Sequence, residues 1–219
     1  MRFLFFAFVF LCFQCSPSEL NNPSDFKSDS FRESETILCL TGQTSACQLA
    51  IPVCTTCRFF STSIAYNGNR GGIVGADAKC MSDSKKPTEP ARAVFKAFLV
   101  DDVNRIACTT SNCSGGVSEH TDWILKPNTT YKRAVDGVTI VTTNGEGIFS
   151  TQPGDAEVST VNNILTGFFA SGWTTRSSGH CSRWSDDSVA ITGHSSSNNL
   201  FTTGGGGCNI SSVILCVEQ

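Results

Sequence analysis

Ten cysteines between residues 39 and 216 constrain this chain more than any other feature. The sequence has 219 residues and twelve cysteines, of which Cys12 lies in an apolar N-terminal run and Cys15 just after it. The other ten are Cys39, Cys47, Cys54, Cys57, Cys80, Cys108, Cys113, Cys181, Cys208 and Cys216, an even number. They follow an export signal, so the chain is expected in an oxidising space, where disulfides are the default. Four of them crowd into residues 39–57. Cys54-Thr-Thr-Cys57 has the spacing of a redox pair, but no strand–helix thioredoxin context surrounds it. No histidine lies near enough in sequence to favour zinc. Structural disulfides are the leading reading there, with metal and redox roles as alternatives. Cys108 and Cys113 flank Thr-Thr-Ser-Asn and are expected to close a small local loop.

The N-terminus sets the compartment. Met1-Arg2 precedes an apolar run from Phe3 to Phe13, too short for a membrane helix of about 20 residues. A single cation and a short apolar stretch read as a secretory signal. Leu11-Cys12-Phe13-Gln14-Cys15, followed by Ser16-Pro17-Ser18, resembles a bacterial lipobox of the relaxed spirochaetal kind. Leu lies four before the cysteine and Gln one before it. Cys15 is therefore expected as the lipidated first residue of the mature chain. Cys12 competes poorly, because Leu11 is a weak substitute for a small residue. An ordinary signal peptide is the alternative. Several acyl chains on one cysteine anchor firmly, at about 0.8 kcal/mol per buried CH₂.

Residues 1–14 are thus assigned to the signal and 15–36 to a lipidated tether. Ser16–Thr36 carries six serines, two prolines and seven charged residues, and no helix or strand period holds. Residues 37–57 form a small Cys-rich segment and 58–219 the main domain. The formal net charge is −3, with 16 basic against 19 acidic residues. That balance gives no electrostatic footprint for nucleic acid.

In the main domain, Arg58–Ile64 reads as a first strand and Tyr66–Gly72 as a turn. Ile73, Ala76, Ala78 and Cys80 fit a short helix that turns Cys80 inward. Pro90 suits the start of a second helix, with Val94, Phe95, Phe98 and Leu99 as its buried face. Trp123–Leu125, Val138–Val141 and Ile148-Phe149 are expected strands, with Asn144-Gly145 a hairpin-type turn between two of them. Gly204–Gly207 reads as a loop stapled by Cys208, and Val213–Val217 as the closing strand. Two early helices followed by many short strands indicate an α+β domain.

Several motifs then match a known family in order. Gly75-Ala76-Asp77-Ala78-Lys79-Cys80 and Val94-Phe95-Lys96-Ala97-Phe98-Leu99 resemble the two opening helices of endostatin-like domains. Glu146-Gly147-Ile148-Phe149-Ser150 resembles their middle strand, and Cys181-Ser182-Arg183-Trp184 their Cys-x-x-Trp. Cys208 to Glu218 resembles their final strand. The insert Cys108-Thr-Thr-Ser-Asn-Cys113-Ser-Gly-Gly, with Glu119-His120 and Trp123 to Asn128, is similar to leptospiral outer-membrane lipoproteins of the endostatin-like (Len) type. The match covers about residues 58–219.

This resemblance implies a C-type-lectin-like fold with nested disulfides Cys80–Cys216 and Cys181–Cys208. It implies a surface-exposed, lipid-anchored protein of the bacterial outer membrane. Its expected partners are host laminin, fibronectin and complement regulators such as factor H, with no cofactor and no catalysis. Loops at 108–136 and 185–207 are polar and turn-rich and suit recognition on a rigid scaffold. A structural envelope protein without a host ligand is the runner-up, a calcium-dependent lectin stands third and an enzyme fourth.

Family sites transfer only in part. Endostatin's zinc site uses N-terminal histidines, whereas His120, His180 and His194 all lie far from the domain's start. Arg58, Arg70, Arg92, Arg105, Arg133, Arg176 and Arg183 are scattered rather than dense, which argues against a heparin patch. Lys126-Pro127-Asn128 places a cation where a calcium lectin needs a carboxylate. Trp184-Ser185-Asp186-Asp187 departs from the lectin pattern, and Asp186 and Asp187 read as solvated. Glu119-His120-Thr121-Asp122 reads as a turn with a satisfied histidine, an acid–base role being the alternative. Neither a Gly-x-Ser-x-Gly elbow nor His-Glu-x-x-His is present. Asn112, Asn128 and Asn209 open N-glycosylation sequons.

Overall fold

The computed structural model describes Ser28 and residues 53–149, 164–168, 172–175, 178–189, 192–196 and 203–219. The fold lies in the unit spanning residues 52–219. The signal, Cys15, nearly all of the tether, and Cys39 and Cys47 fall outside the described residues.

The domain is a mixed α+β structure with little helix, two sheets and several disulfides. Strands are β1 Thr56–Ser61, β2 Phe95–Ala97, β3 Thr130–Arg133, β4 Thr139–Thr142, β5 Ile164–Leu165, β6 Thr192–Ser196, β7 Thr203–Gly207 and β8 Leu215–Glu218. The main helix is α1, Gly72–Ser82. The first sheet runs β2-β8-β1-β3-β4, with β1 and β3 parallel and the other pairs antiparallel. The second is antiparallel, ordered β5-β6-β7.

The central strands β1 and β8 of the first sheet are largely buried on both faces, and strand alternation deals their residues into two cores. Cys57 and Phe59 of β1 and Leu215 and Val217 of β8 enter one core. Phe60, Ile214 and Cys216 enter the other, against Ile73, Ala76 and Cys80 of α1. Those three helical positions fall at i, i+3 and i+7, one face of α1. Ala78 is on the exposed face, and half-buried Asp77 is turned toward β2, where it accepts from the Ala97 N–H at 2.8 Å. In the first core, Phe98, Trp123, Phe149, Phe168 and Trp173 pack edge-on or tilted, with centroids 4.5–6.4 Å apart. Such pairs add about 0.5–1.5 kcal/mol each beyond burial.

The expected helix after Pro90 is a strand instead. Phe95 pairs with Glu218, Lys96 with Val217 and Ala97 with Cys216. Spacing of i, i+4 fits either element, but Phe98 enters one core and Leu99 the other. Ala97 and Leu99 enter one core and Phe98 and Val100 the other, the period-two alternation of an extended chain. Gly204–Gly207, expected as a loop, belongs to β7 and pairs residue by residue with Ser195 to Thr192 of β6. Trp123–Leu125 and Ile148-Phe149 are not strands. Their apolar side chains are largely buried, but their carbonyls meet side chains instead of a strand: Trp123 Nε1 donates to Gly147 O at 2.9 Å, Trp173 Nε1 to Phe149 O at 3.1 Å, and Gln219 Nε2 to Ile124 O at 3.3 Å. Asn144-Gly145 does form a turn, closed by Gly147 N–H donating to Asn144 O. The other expected strands move by one to three residues, and Ile64 is exposed beyond the end of β1.

Four disulfides are described. Cys80–Cys216 ties α1 to β8, and Cys181–Cys208 ties the Cys181–Trp184 turn to the approach to β8. Cys108–Cys113 closes the small loop expected of it, and Cys54–Cys57 lies at the start of β1.

Candidate functional site

The insert between β2 and β3 carries the most developed surface loop. Cys108 and Cys113 are buried, whereas Thr109, Thr110, Ser111, Asn112, Ser114 and Ser118 are exposed. Glu119 holds this loop from inside its turn. Its carboxylate accepts from the N–H groups of Thr109 (2.7 Å), Thr110 (2.7 Å) and Gly115 (2.5 Å). It also accepts from the hydroxyls of Thr109 (3.0 Å) and Thr110 (2.6 Å). These donors, the Thr110 hydroxyl foremost, hold its pKa down at about 2. Five donors converging on one carboxylate fix the loop in advance of any partner. Asn112 N–H donates to Gly172 O at 2.8 Å, which anchors the loop to the first core.

His120, next in sequence, is fully engaged. Its Nδ1 meets Ala107 O, and its Nε2 lies 2.8 Å from Glu146 O. Asp122 turns inward to a second device built on Arg105. That guanidinium has no exposed surface and contacts Asp77 Oδ1 and Oδ2 at 2.9 and 2.7 Å, Asp122 Oδ2 at 2.5 Å, and Ala97 O at 2.8 Å. Lys96 also pairs with Asp122. Burial alone would lower the Arg105 pKa, but Asp77 and Asp122 outweigh it and hold it above its usual value. The cluster joins α1, β2 and the insert's return.

The Cys181–Trp184 turn forms a third device. All four residues have positive φ (48°, 50°, 58° and 63°), a single left-handed helical turn without glycine. L-residues pay roughly 1–2 kcal/mol each for this conformation. Cys181–Cys208, the burial of Trp184 and its Nε1 bond to Val100 O (3.0 Å) hold it there. Arg183 grips Asp102 through Nε and Nη2 at 2.7 and 3.1 Å. His180 Nδ1 accepts from the Arg183 N–H at 2.9 Å, and its Nε2 lies 3.6 Å from Asp102. Gly68 passes so close that a Cβ there would sit 2.5 Å from Asp186 O and 2.7 Å from Cys181 Sγ and Cys208 Cβ.

Among the described residues, the domain's arginines do not assemble into one cationic face. Arg70 and Arg105 are fully buried, Arg58, Arg133 and Arg183 are paired with carboxylates, and Arg92 is exposed. Arg176 lies outside the described residues. Arg70 has no carboxylate partner among the described residues and bonds Asn67 O, Leu165 O and Ser212 Oγ instead. Burial pulls it down to about 9. Lys126 and the Asp186–Asp187 pair are not brought together. Lys126 Nζ lies 3.5 Å from Cys54 Sγ, Asp187 accepts from Asn67 Nδ2, and Asp186 from the Ser188 N–H. Among the described residues, no three His, Cys, Asp or Glu side chains converge as metal ligands. No hydrogen bond or ion pair among them joins 108–129 to 185–189. Within 185–207, the second expected loop, β6 and β7 form an antiparallel pair rather than loop. Asn112, Asn128 and Asn209 are all exposed.

Sequence reasoning missed the Glu119 knot and the Arg105 cluster. Glu119 shares its local loop with its donors, so a carboxylate beside a Thr-Thr and Gly-Gly turn was a readable signal. Arg105 meets partners 28 and 17 residues away, and nothing local announces them.

A model of the family described as "Protein of unknown function (DUF1554)" matches residues 63–201. No curated protein matches the chain.

Proposed function

The chain belongs to the DUF1554 family, and from that premise we propose a lipid-anchored bacterial surface protein that binds host macromolecules. The domain is read as C-type-lectin-like, of the endostatin-like kind. Its terminal strand β8 inserts between β1 and β2 and is stapled to α1, which supports that reading. Anchorage would be through Cys15, with the tether carrying the domain away from the bilayer.

One observation carries the binding role. The Cys108–Cys113 insert is exposed and polar, yet it is locked by a disulfide, a five-donor carboxylate and a backbone bond to the core. A loop fixed before encounter loses little entropy on binding. Ser, Thr and Asn side chains supply adaptable hydrogen bonds from such a frame. Laminin, fibronectin and factor H are the partners the Len-type resemblance suggests.

The test is solid-phase binding of the oxidised mature protein to those three ligands, with calcium and with chelator. A second protein carries Ser and Gly at positions 109–112, 114 and 118, with both cysteines and Glu119 kept. Saturable, chelator-resistant binding that falls at least about tenfold in the variant supports the proposal. Equal binding by both proteins refutes the role of the insert. Binding abolished by chelator points to a calcium lectin, and no binding at all points to a structural envelope role.

A further inference from the structure

The Cys54–Cys57 pair differs from every other described disulfide. Cys80, Cys216, Cys181, Cys208, Cys108 and Cys113 are each at most 2% exposed. Cys57 is also buried, in the first core, but Cys54 is half-buried and lines an open cavity of about 340 Å³. Val53, Thr55, Thr56 and Pro90 form the rest of its wall, with the Arg58–Glu218 pair.

The electrostatics around Cys54 suit a thiolate. Lys126 Nζ lies 3.5 Å from its Sγ, and an ammonium this close favours a sulfur anion. Glu218, the nearby carboxylate, is occupied: Arg58 grips it through Nε and Nη2 at 2.7 and 2.6 Å. Burial lowers the Lys126 pKa, and the Glu218 charge acts against that and favours the ammonium form beside Cys54. Opening this disulfide also leaves the fold braced. The pair spans only three residues, against 136 for Cys80–Cys216, so it restrains the unfolded chain least. Cys57 stays fixed by the β1–β3 register with Tyr131.

We infer that Cys54–Cys57 is a redox-active disulfide that exchanges with a pair of cysteine thiols on a partner polypeptide, Cys54 being the sulfur attacked. The partner's first thiolate bonds to Cys54 Sγ and breaks the Cys54–Cys57 bond. Cys57 leaves as a thiolate and takes up the proton that the partner's first thiol released, and the proton of the partner's second thiol goes to solvent. The partner's second thiolate then attacks its own sulfur in the mixed disulfide. Cys54 leaves as a thiolate beside Lys126. Two electrons pass from the partner, which ends as a disulfide, to the Cys54–Cys57 dithiol; the reverse sequence reduces a partner disulfide. This activity is separate from ligand binding by the insert.

The experiment has two parts. The oxidised mature chain is equilibrated at graded ratios of reduced to oxidised dithiothreitol, free thiols are alkylated, and each cysteine is mapped by mass spectrometry. Cys54–Cys57 is expected to open at a ratio roughly tenfold or more below that of the three buried pairs. Dithiothreitol-driven reduction of insulin is then followed with wild type, C54S/C57S and K126M. Wild type is expected to accelerate it, C54S/C57S not at all, and K126M about tenfold less than wild type. Opening of Cys54–Cys57 together with or after the buried pairs overturns the inference. So does insulin reduction no faster with wild type than with C54S/C57S.

Discussion

Removing the Cys80–Cys216 bridge should cost far more than removing Cys108–Cys113, although both pairs are equally buried. The chain-entropy relation gives about 5 kcal/mol for the 136-residue separation of the first. For the 5-residue separation of the second it gives about 2 kcal/mol. Either double alanine variant also deletes two sulfurs from sites at most 2% exposed, so the cavity cost largely cancels in the comparison. The expected difference between C80A/C216A and C108A/C113A is therefore about 3 kcal/mol. That is a large share of a total stability of about 5–15 kcal/mol. For a domain of this size, the loss of about 5 kcal/mol lowers Tm by about 10–20 °C. Urea unfolding of the oxidised proteins, followed by tryptophan fluorescence and extrapolated linearly, measures it. A C80A/C216A protein that loses no more than C108A/C113A would refute the reasoning.

Three further outcomes follow from the devices in the structure. D77N/D122N leaves Arg105 charged and buried without a carboxylate, and should lose about 3 kcal/mol or more of stability in urea unfolding; a loss under about 1 kcal/mol would count against the cluster. Burial raises the Asp122 pKa, but Lys96 and Arg105 outweigh it and hold it below the usual value, so its contribution is present above the unfolded carboxylate pKa and fades as pH falls through the folded one. E119Q should speed amide exchange at Thr109, Thr110 and Gly115. In wild type the same amides should stay protected above the unfolded glutamate pKa of about 4.5 and lose protection as pH falls toward about 2; exchange unaltered by E119Q would remove Glu119 from its assigned role. G68A drives a Cβ into the Cys181–Cys208 bridge and the Asp186 carbonyl, none of which is a flexible chain end, and should destabilise by about 1–3 kcal/mol on thermal unfolding; an unchanged Tm would contradict that close approach.

Local pattern made some of the fold readable. Ile73, Ala76 and Cys80 marked α1 because one helix face meets one core, and the apolar run before Glu218 marked β8 because both faces of that strand are covered. Phe95 to Leu99 misled because i, i+4 spacing also arises when a strand feeds two cores. Gly204–Gly207 misled because glycine favours turns locally, while its hydrogen-bonding partner in β6 is supplied by the sheet. The pairings of Cys80 and Cys181 were open on residue grounds and came only with the family resemblance. The approach of Lys126 to Cys54 spans 72 residues, and no short window of sequence contains it.

The central claim is that the locked insert recognises a host macromolecule. Binding of the oxidised mature protein and its 109–118 Ser/Gly variant to immobilised laminin, fibronectin and factor H, in chelator, tests it most directly. Saturable binding by the wild type to at least one of them, reduced about tenfold or more in a variant of unchanged Tm, is the predicted result. Identical binding isotherms for the two proteins, or no binding by either, would contradict it.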